Sequence, residues 1–185
     1  MLERLWAGWR TEYVSSAAEA GVGTEAVAGG SDGGDDEPCV FCRILASGEP
    51  DEVTKVLWRG ERTVALLNAF PYTSGHLMVM PVRHVGAIEE LTAAEGAEVW
   101  AAVTDAVRAL KAAYRPEGLN VGVNLGRAAG AGVPGHFHVH ALPRWNGDTN
   151  FMTSLAETRV MPESLDATWE KLKGAWPGPA GPGAG

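Results

Sequence analysis

His136, His138 and His140 are three of only five histidines in the chain, and they alternate with Phe137 and Val139 in a run that continues into Ala141. Read as a β-strand, the run puts three imidazoles on one face and buries Phe137, Val139 and Ala141 on the other. A packed core gains nothing from three imidazoles that Leu or Val would not supply at lower desolvation cost, so the cluster points to chemistry. Two histidines two apart on a strand can share a metal, as in zinc hydrolases. Those built on (β/α)₈ barrels need about 250 residues, and this chain has 185. The other chemistry makes His138 a nucleophile. Neutral imidazole attacks phosphorus without prior activation and forms a phosphoramidate, dividing one hard displacement into two easier ones. His140 would then hydrogen-bond the phosphate or the leaving oxygen, and His136 completes the catalytic set. Solvated or merely structural histidines are the bland alternative.

Phosphate chemistry needs donors around the phosphoryl oxygens. The loop Gly126 to Gly135 leads directly into the histidine run, and its small residues Gly130, Ala131 and Gly132, followed by Val133, let backbone N–H groups approach an anion. Asn124 adds an amide donor at the base of the loop. No Gly-Lys-Ser/Thr phosphate loop is present, which excludes ordinary P-loop NTPase chemistry. Cys39 and Cys42 supply half of a tetrahedral zinc shell, for which His84 and His136 are candidate partners. A redox pair in a thioredoxin-like setting would have a strand before it, and here an acidic segment precedes it; buried thiols are the third alternative.

The elements that must position these residues are legible in outline. Cys42 to Ala46 reads as a short helix ending at Gly48. The runs Val53 to Trp58 and Thr63 to Leu67 read as a hairpin about Arg59-Gly60-Glu61, and Gly75 to Pro81, apolar on both faces, as a buried strand. Thr92 and Glu95 form a capping box. Behind it Val99, Trp100, Val103, Val107, Leu110 and Tyr114 make an apolar helical stripe that Pro116 stops. Leu119 to Asn124 is a further strand, and Glu163 to Lys173 a final helix. Strands outnumber helices and a hairpin is present, so the expected class is α+β with a largely antiparallel sheet.

A length of 185 residues suits one domain with a hydrophobic core. The expected organisation is a docking arm over 1–14, an acidic linker over 15–37, a folded domain over 38–151, an extension with a short helix over 152–173, and a disordered tail over 174–185. The arm's Leu2, Leu5, Trp6, Trp9 and Tyr13 fall at helical spacing and suit packing on the domain or a sister subunit. The linker holds six acids and no Lys or Arg; without them the net charge of −8 becomes −2. Arg83, Arg127 and Arg144 lie near the histidines in sequence, so a small anionic ligand is allowed. A long nucleic-acid track is disfavoured for want of a basic stripe. Neither a membrane span nor a signal peptide is visible, which makes the cytoplasm the default location.

The segment His136 to Leu142 resembles the histidine triad motif, His-x-His-x-His-x-x, of the HIT superfamily of nucleotide hydrolases and transferases. Agreement extends in chain order from Pro38 to Phe151, through Cys39 to Ile44, Leu66 to Pro71, Gly75-His76, Pro81 to His84 and Asn124 to Gly126. The resemblance implies the HIT-like fold, a mainly antiparallel five-stranded sheet with one long helix and short ones. It also implies a nucleotidyl intermediate on His138, ribose binding by Asn68, and an α-phosphate held by Asn124 and the following loop. Cys39, Cys42, His84 and His136 are similar to the zinc shell of zinc-containing members.

Pro143-Arg144-Trp145, Gly147-Asp148, Asn150-Phe151 and the Trp-rich arm are similar to actinobacterial diadenosine tetraphosphate phosphorylases within that superfamily. Trp145 would offer a stacking face to adenine, or serve as a core or interface residue. One departure stands out: Gly132 occupies the place of a glutamine found in many relatives. The implied reaction is cleavage of diadenosine tetraphosphate by phosphate to ADP and ATP. Hydrolysis of a dinucleoside polyphosphate or an adenosine phosphoramidate is the alternative, and a zinc-stabilised, non-catalytic nucleotide-binding module the second. Structural zinc, magnesium arriving with the nucleotide, and a homodimer or higher homo-oligomer complete the expectations.

Overall fold

In the computed structural model, which describes residues 39–148 and 163–178, five apolar runs become strands: β1 (Val56–Arg59), β2 (Thr63–Leu67), β3 (Leu77–Pro81), β4 (Gly118–Val123) and β5 (Val139–Arg144). They form one sheet in the order β1-β2-β3-β5-β4, every neighbouring pair antiparallel. The α+β class and the five-stranded antiparallel sheet are therefore as expected. β2 and β3 are buried at every position, because both faces of the sheet centre are covered. β4 lies at the open edge and is mostly exposed. The arm, the linker, the segment 149–162 and the end of the tail from 179 lie outside the described residues.

Among the described residues four α-helices accompany the sheet: α1 (Val40–Ala46), α2 (Asp51–Thr54), α3 (Ala93–Tyr114) and α4 (Leu165–Ala175). α3 crosses one face, where Val99, Ala102, Val103, Ala106, Ala109 and Leu110 meet Leu77, Val79, Phe137, Val139 and Ala141. On the opposite face Phe41 of α1 packs with Val56, Val64, Leu66, Met78 and Met80. Strand alternation thus sends odd positions of β3 and β5 to α3 and even positions toward α1.

Several boundaries differ from the sequence reading. The expected strand from Val53 is instead the turn of α2, because Pro50 caps it and Asp51 and Glu52 occupy its first turn, favourable for a helix start. Lys55, in the left-handed region at φ 60°, ends it, and β1 begins at Val56. α1 starts two residues before the expected Cys42, so that Cys42 lies within the helix and Cys39 at its N-cap. The final helix runs on to Ala175, past the expected Lys173. The buried stripe of α3 is also rotated: Trp100 is 54% exposed, and alanines 102, 106 and 109 take the inward positions. Small side chains let the helix lie close on the sheet.

The capping box forms as read. Glu95 N–H donates to Thr92 Oγ1 at 3.2 Å and Thr92 N–H to Glu95 Oε2 at 2.8 Å. Arg83 adds a bidentate pair, Nε and Nη2 each 2.8 Å from the carboxylate, which ties the segment after β3 to the start of α3. The Arg83 hydrogen bonds, then those of Thr92, hold the Glu95 carboxyl down at about 2 against an ordinary 4.5. Its charged form therefore stabilises the fold fully above about pH 4.5 and gives that stability up as pH falls toward 2. Glu95→Gln is expected to melt below wild type at pH 7, with the difference narrowing between pH 4.5 and 2. A difference that stayed constant in thermal scans across that range would show that the carboxylate's charge is not what stabilises this corner.

Candidate functional site

β5 begins at Val139, not at His136 as the sequence reading has it. Its partner β4 ends at Val123, opposite Val139, so His138 has no ladder partner. The chain nonetheless enters the strand extended, with Phe137 N–H donating to Val85 O at 2.6 Å. Alternation is preserved: Phe137 packs under α3, whereas the rings of His136 and His138 both meet Phe41 on the other face. The three imidazoles share a side but have different partners.

His138 Nδ1–H donates to the backbone carbonyl of His136 at 2.7 Å. A carbonyl only accepts, so the proton is on Nδ1 and the lone pair on Nε2. Burial pushes the ring's pKa down, with the His136 carbonyl opposing, which keeps the imidazole neutral and nucleophilic near pH 7. The ring of His140 lies 4.9 Å away, edge to face. Burial first, then the neighbouring His138, lowers its pKa to about 4.

The tautomer of His140 is set by a residue to which the sequence reading gave no role. Tyr72 N–H donates to His76 Nδ1 at 3.0 Å, so His76 carries its proton on Nε2 and donates to His140 Nδ1 at 2.9 Å. His140 is thereby left with a proton on Nε2, a hydrogen-bond donor in a neutral ring. His76 is fully buried, and the Tyr72 ring packs 4.5 Å from it. Asn68 adjoins the same group, its Nδ2 3.4 Å from His76 Nδ1 and its Oδ1 accepting from Phe70 N–H at 2.9 Å. Gly75 precedes His76 at φ +83°, where a Cβ would come within 3.1 Å of Tyr114, Leu110 and Pro143; glycine is required there.

Asn124 follows the last pair of the β4–β5 ladder, Val123 with Val139, and its Nδ2 donates to Gly130 O at 3.3 Å. Gly126 and Gly130, at φ +80° and +90°, fold the segment between them around a 3₁₀ turn, and Ala131 N–H closes back on Gly126 O. Ala131 is buried, Val133 packs beside the Phe41 cluster, and Gly132 is open. Gly122 pairs with His140 across the ladder. The expected loop residues are thus gathered at one end of the sheet. Arg83 belongs to Glu95, and Arg144 makes a bidentate pair with Asp148 and a hydrogen bond to Asn120.

Cys39, Cys42, His84 and His136 converge as expected, each offering one ligand atom, all within 4.8 Å of one another. Cys39 Sγ lies 3.4 Å from His136 Nδ1, and Cys42 Sγ 3.4 Å from His84 Nδ1 and 3.6 Å from His136 Nδ1. A tetrahedral zinc with ordinary bond lengths would separate S and N ligands by about 3.5 Å. His136 Nε2–H donates to Pro81 O at 2.9 Å, which turns an unprotonated Nδ1 toward the sulfurs. Without a cation, burial and then the Cys39 thiol push the Cys42 thiol up. The donor set fits a metal. Both His136 nitrogens are engaged here, which removes that ring from proton transfer at His138.

Trp145 is placed apart. It follows β5 on the α3 side, its ring 6.2 Å from Tyr114 in edge-to-face contact. Tyr114 belongs to α3, on the face of the sheet opposite the one where Phe41 meets His138.

The family model described as HIT domain matches residues 49–147. A Mycobacterium tuberculosis protein named AP-4-A phosphorylase is 40% identical over 175 residues, covering 95% of this chain and 85% of its own. The crystal structure of a Zn-bound histidine triad family protein from Mycobacterium smegmatis superposes with TM-score 0.60 at 28% identity, over 74% of this chain and 91% of that one. A Bacillus subtilis HIT family structure gives TM-score 0.55 at 32% identity, over 60% and 76%.

Proposed function

The chain belongs to the HIT family, and from that premise we propose that it is a nucleotidyl transferase that cleaves diadenosine tetraphosphate with inorganic phosphate, yielding ATP and ADP. The observation that carries the chemistry is the fixed tautomer of His138, whose Nδ1–H is spent on the His136 carbonyl at 2.7 Å while Nε2 keeps its lone pair. His138 Nε2 bonds to the α-phosphorus as the bond to the bridging oxygen breaks, and ATP departs with that electron pair. A phosphate oxygen then bonds to the same phosphorus, the P–N bond breaks, and ADP leaves with His138 restored. Neutral His140 donates from Nε2 to a phosphoryl or bridging oxygen, in the tautomer that His76 imposes. Asn68 serves the ribose hydroxyls, and Asn124 with Gly130, Ala131, Gly132 and Val133 the α-phosphate.

Zinc is the metal we assign to Cys39, Cys42, His84 and His136. It would fill a closed four-ligand shell, so it supplies structural stability and takes no part in the displacement. Magnesium would enter only with the polyphosphate. The exposed edge of β4 supports a homo-oligomer in which strands continue across subunits. Among the described residues no helix is long and apolar enough to cross a membrane.

Incubation with diadenosine tetraphosphate, with and without phosphate, tests the reading. ADP plus ATP, formed only when phosphate is present, is the expected result. AMP plus ATP would replace the phosphorylase by a hydrolase, and absence of turnover would reject both.

A further inference from the structure

Phe41 stands between Cys39 and Cys42 at the start of α1, 5% exposed, and its ring meets two imidazoles edge-on. The centroid distances are 5.5 Å to His136 at 88° and 5.3 Å to His138 at 65°. The first ring belongs to the metal-ligand set and the second to the proposed nucleophile. A hydrogen bond at Nδ1 fixes one atom of His138, but the ring torsion of a histidine is broad, and its plane needs a packing partner. Phe41 supplies that partner with an edge-to-face contact. Its own place is set from both sides, since the sulfurs flanking it in sequence lie 3.4 and 3.6 Å from His136 Nδ1.

We infer that Phe41 is a positioning residue for the reaction: anchored by the cysteine cluster through α1, it holds the His138 ring in the plane from which Nε2 reaches the α-phosphorus. The cluster and the nucleophile are then joined twice, through the His136 carbonyl and through one phenyl ring. The inference rests on the assignment of His138 as nucleophile. It differs from a role in the fold alone, which any apolar side chain of similar volume would meet.

The test compares full-length, metal-loaded wild type with Phe41→Leu and with Val64→Ala, a truncation at a buried β2 position of the same apolar cluster. Misplacement of a reacting group by about 1 Å costs up to about 100-fold in rate. Phe41→Leu is expected to lose roughly 10- to 100-fold in kcat, with KM for diadenosine tetraphosphate almost unchanged and metal content retained. The nitrogen NMR signals of the His138 ring should broaden or shift toward the other tautomer, and chelation of wild type should move them the same way. Val64→Ala should melt lower yet keep kcat and those signals. Wild-type kcat and ring signals in Phe41→Leu would overturn the inference, as would equal losses in Val64→Ala. A raised KM at unchanged kcat would overturn it too, by making Phe41 a nucleotide contact. A wild type without turnover would instead sink the proposed function, and the ring signals would still decide whether Phe41 orders His138.

Discussion

His138→Ala is expected to lower kcat by at least roughly 10⁴-fold, because the step it removes is formation of the covalent bond itself. Neither neighbouring imidazole can substitute. His136 has both nitrogens engaged, by Pro81 O and by the cysteine cluster, and His140 Nδ1 is occupied by His76. The variant should remain folded, since the lost ring leaves a cavity beside Phe41 costing on the order of 2 kcal/mol. Nucleotide should still bind, because Asn68 and the Asn124 loop are untouched. Acid quenching of wild type with substrate should trap an adenylyl group on the protein, and the variant should trap none. Retained activity, or the same trapped adduct in His138→Ala, would reject the nucleophile assignment.

The second large effect concerns the metal. A closed Cys₂His₂ shell contributes its binding free energy to folding, and a ligand at about 1,000 times its dissociation constant stabilises by about 4 kcal/mol. For a chain of this size each kcal/mol corresponds to about 2–4 °C in melting temperature. Chelation or Cys42→Ser is therefore expected to lower Tm by about 10 °C. Zinc should be stoichiometric in protein purified without chelator. The stake is local as well as global, because α1 fully buries Phe41 alone and the exposed His84 side chain is held by Cys42. Zinc content near zero, or a melting curve indifferent to chelation, would remove the metal from the account.

The features legible in sequence are those whose signal is local. The capping box of Thr92 and Glu95 is a four-residue pattern and forms as read. The Cys39, Cys42, His84, His136 set was reachable because few residue types bind zinc and the chain has few of them. His76 falls in the Gly75-His76 segment that agrees with the superfamily, but its role carried no such signal. A lone histidine before an apolar strand has no spacing to betray it, and its partner His140 lies 64 residues away, brought adjacent only by the pairing of β3 with β5. The face of α3 was misread because alanines 102, 106 and 109 carry little apolar weight in a periodicity, whereas Trp100 carries much and points to solvent. Val53 was misread as strand because β-branched propensity is a weak prior against the Pro-Asp-Glu start that precedes it.

His136 turns one nitrogen to the sulfurs, the other to Pro81, and its carbonyl to His138. Drift at this codon is thereby tied to two selective demands at once. A descendant that abandoned the metal would still have to keep an extended backbone here offering the same oxygen, with some new filling for the vacated pocket. The two halves of the centre can diverge only in step, and loss of the cation would be tolerated only after the surrounding packing had already changed to replace it.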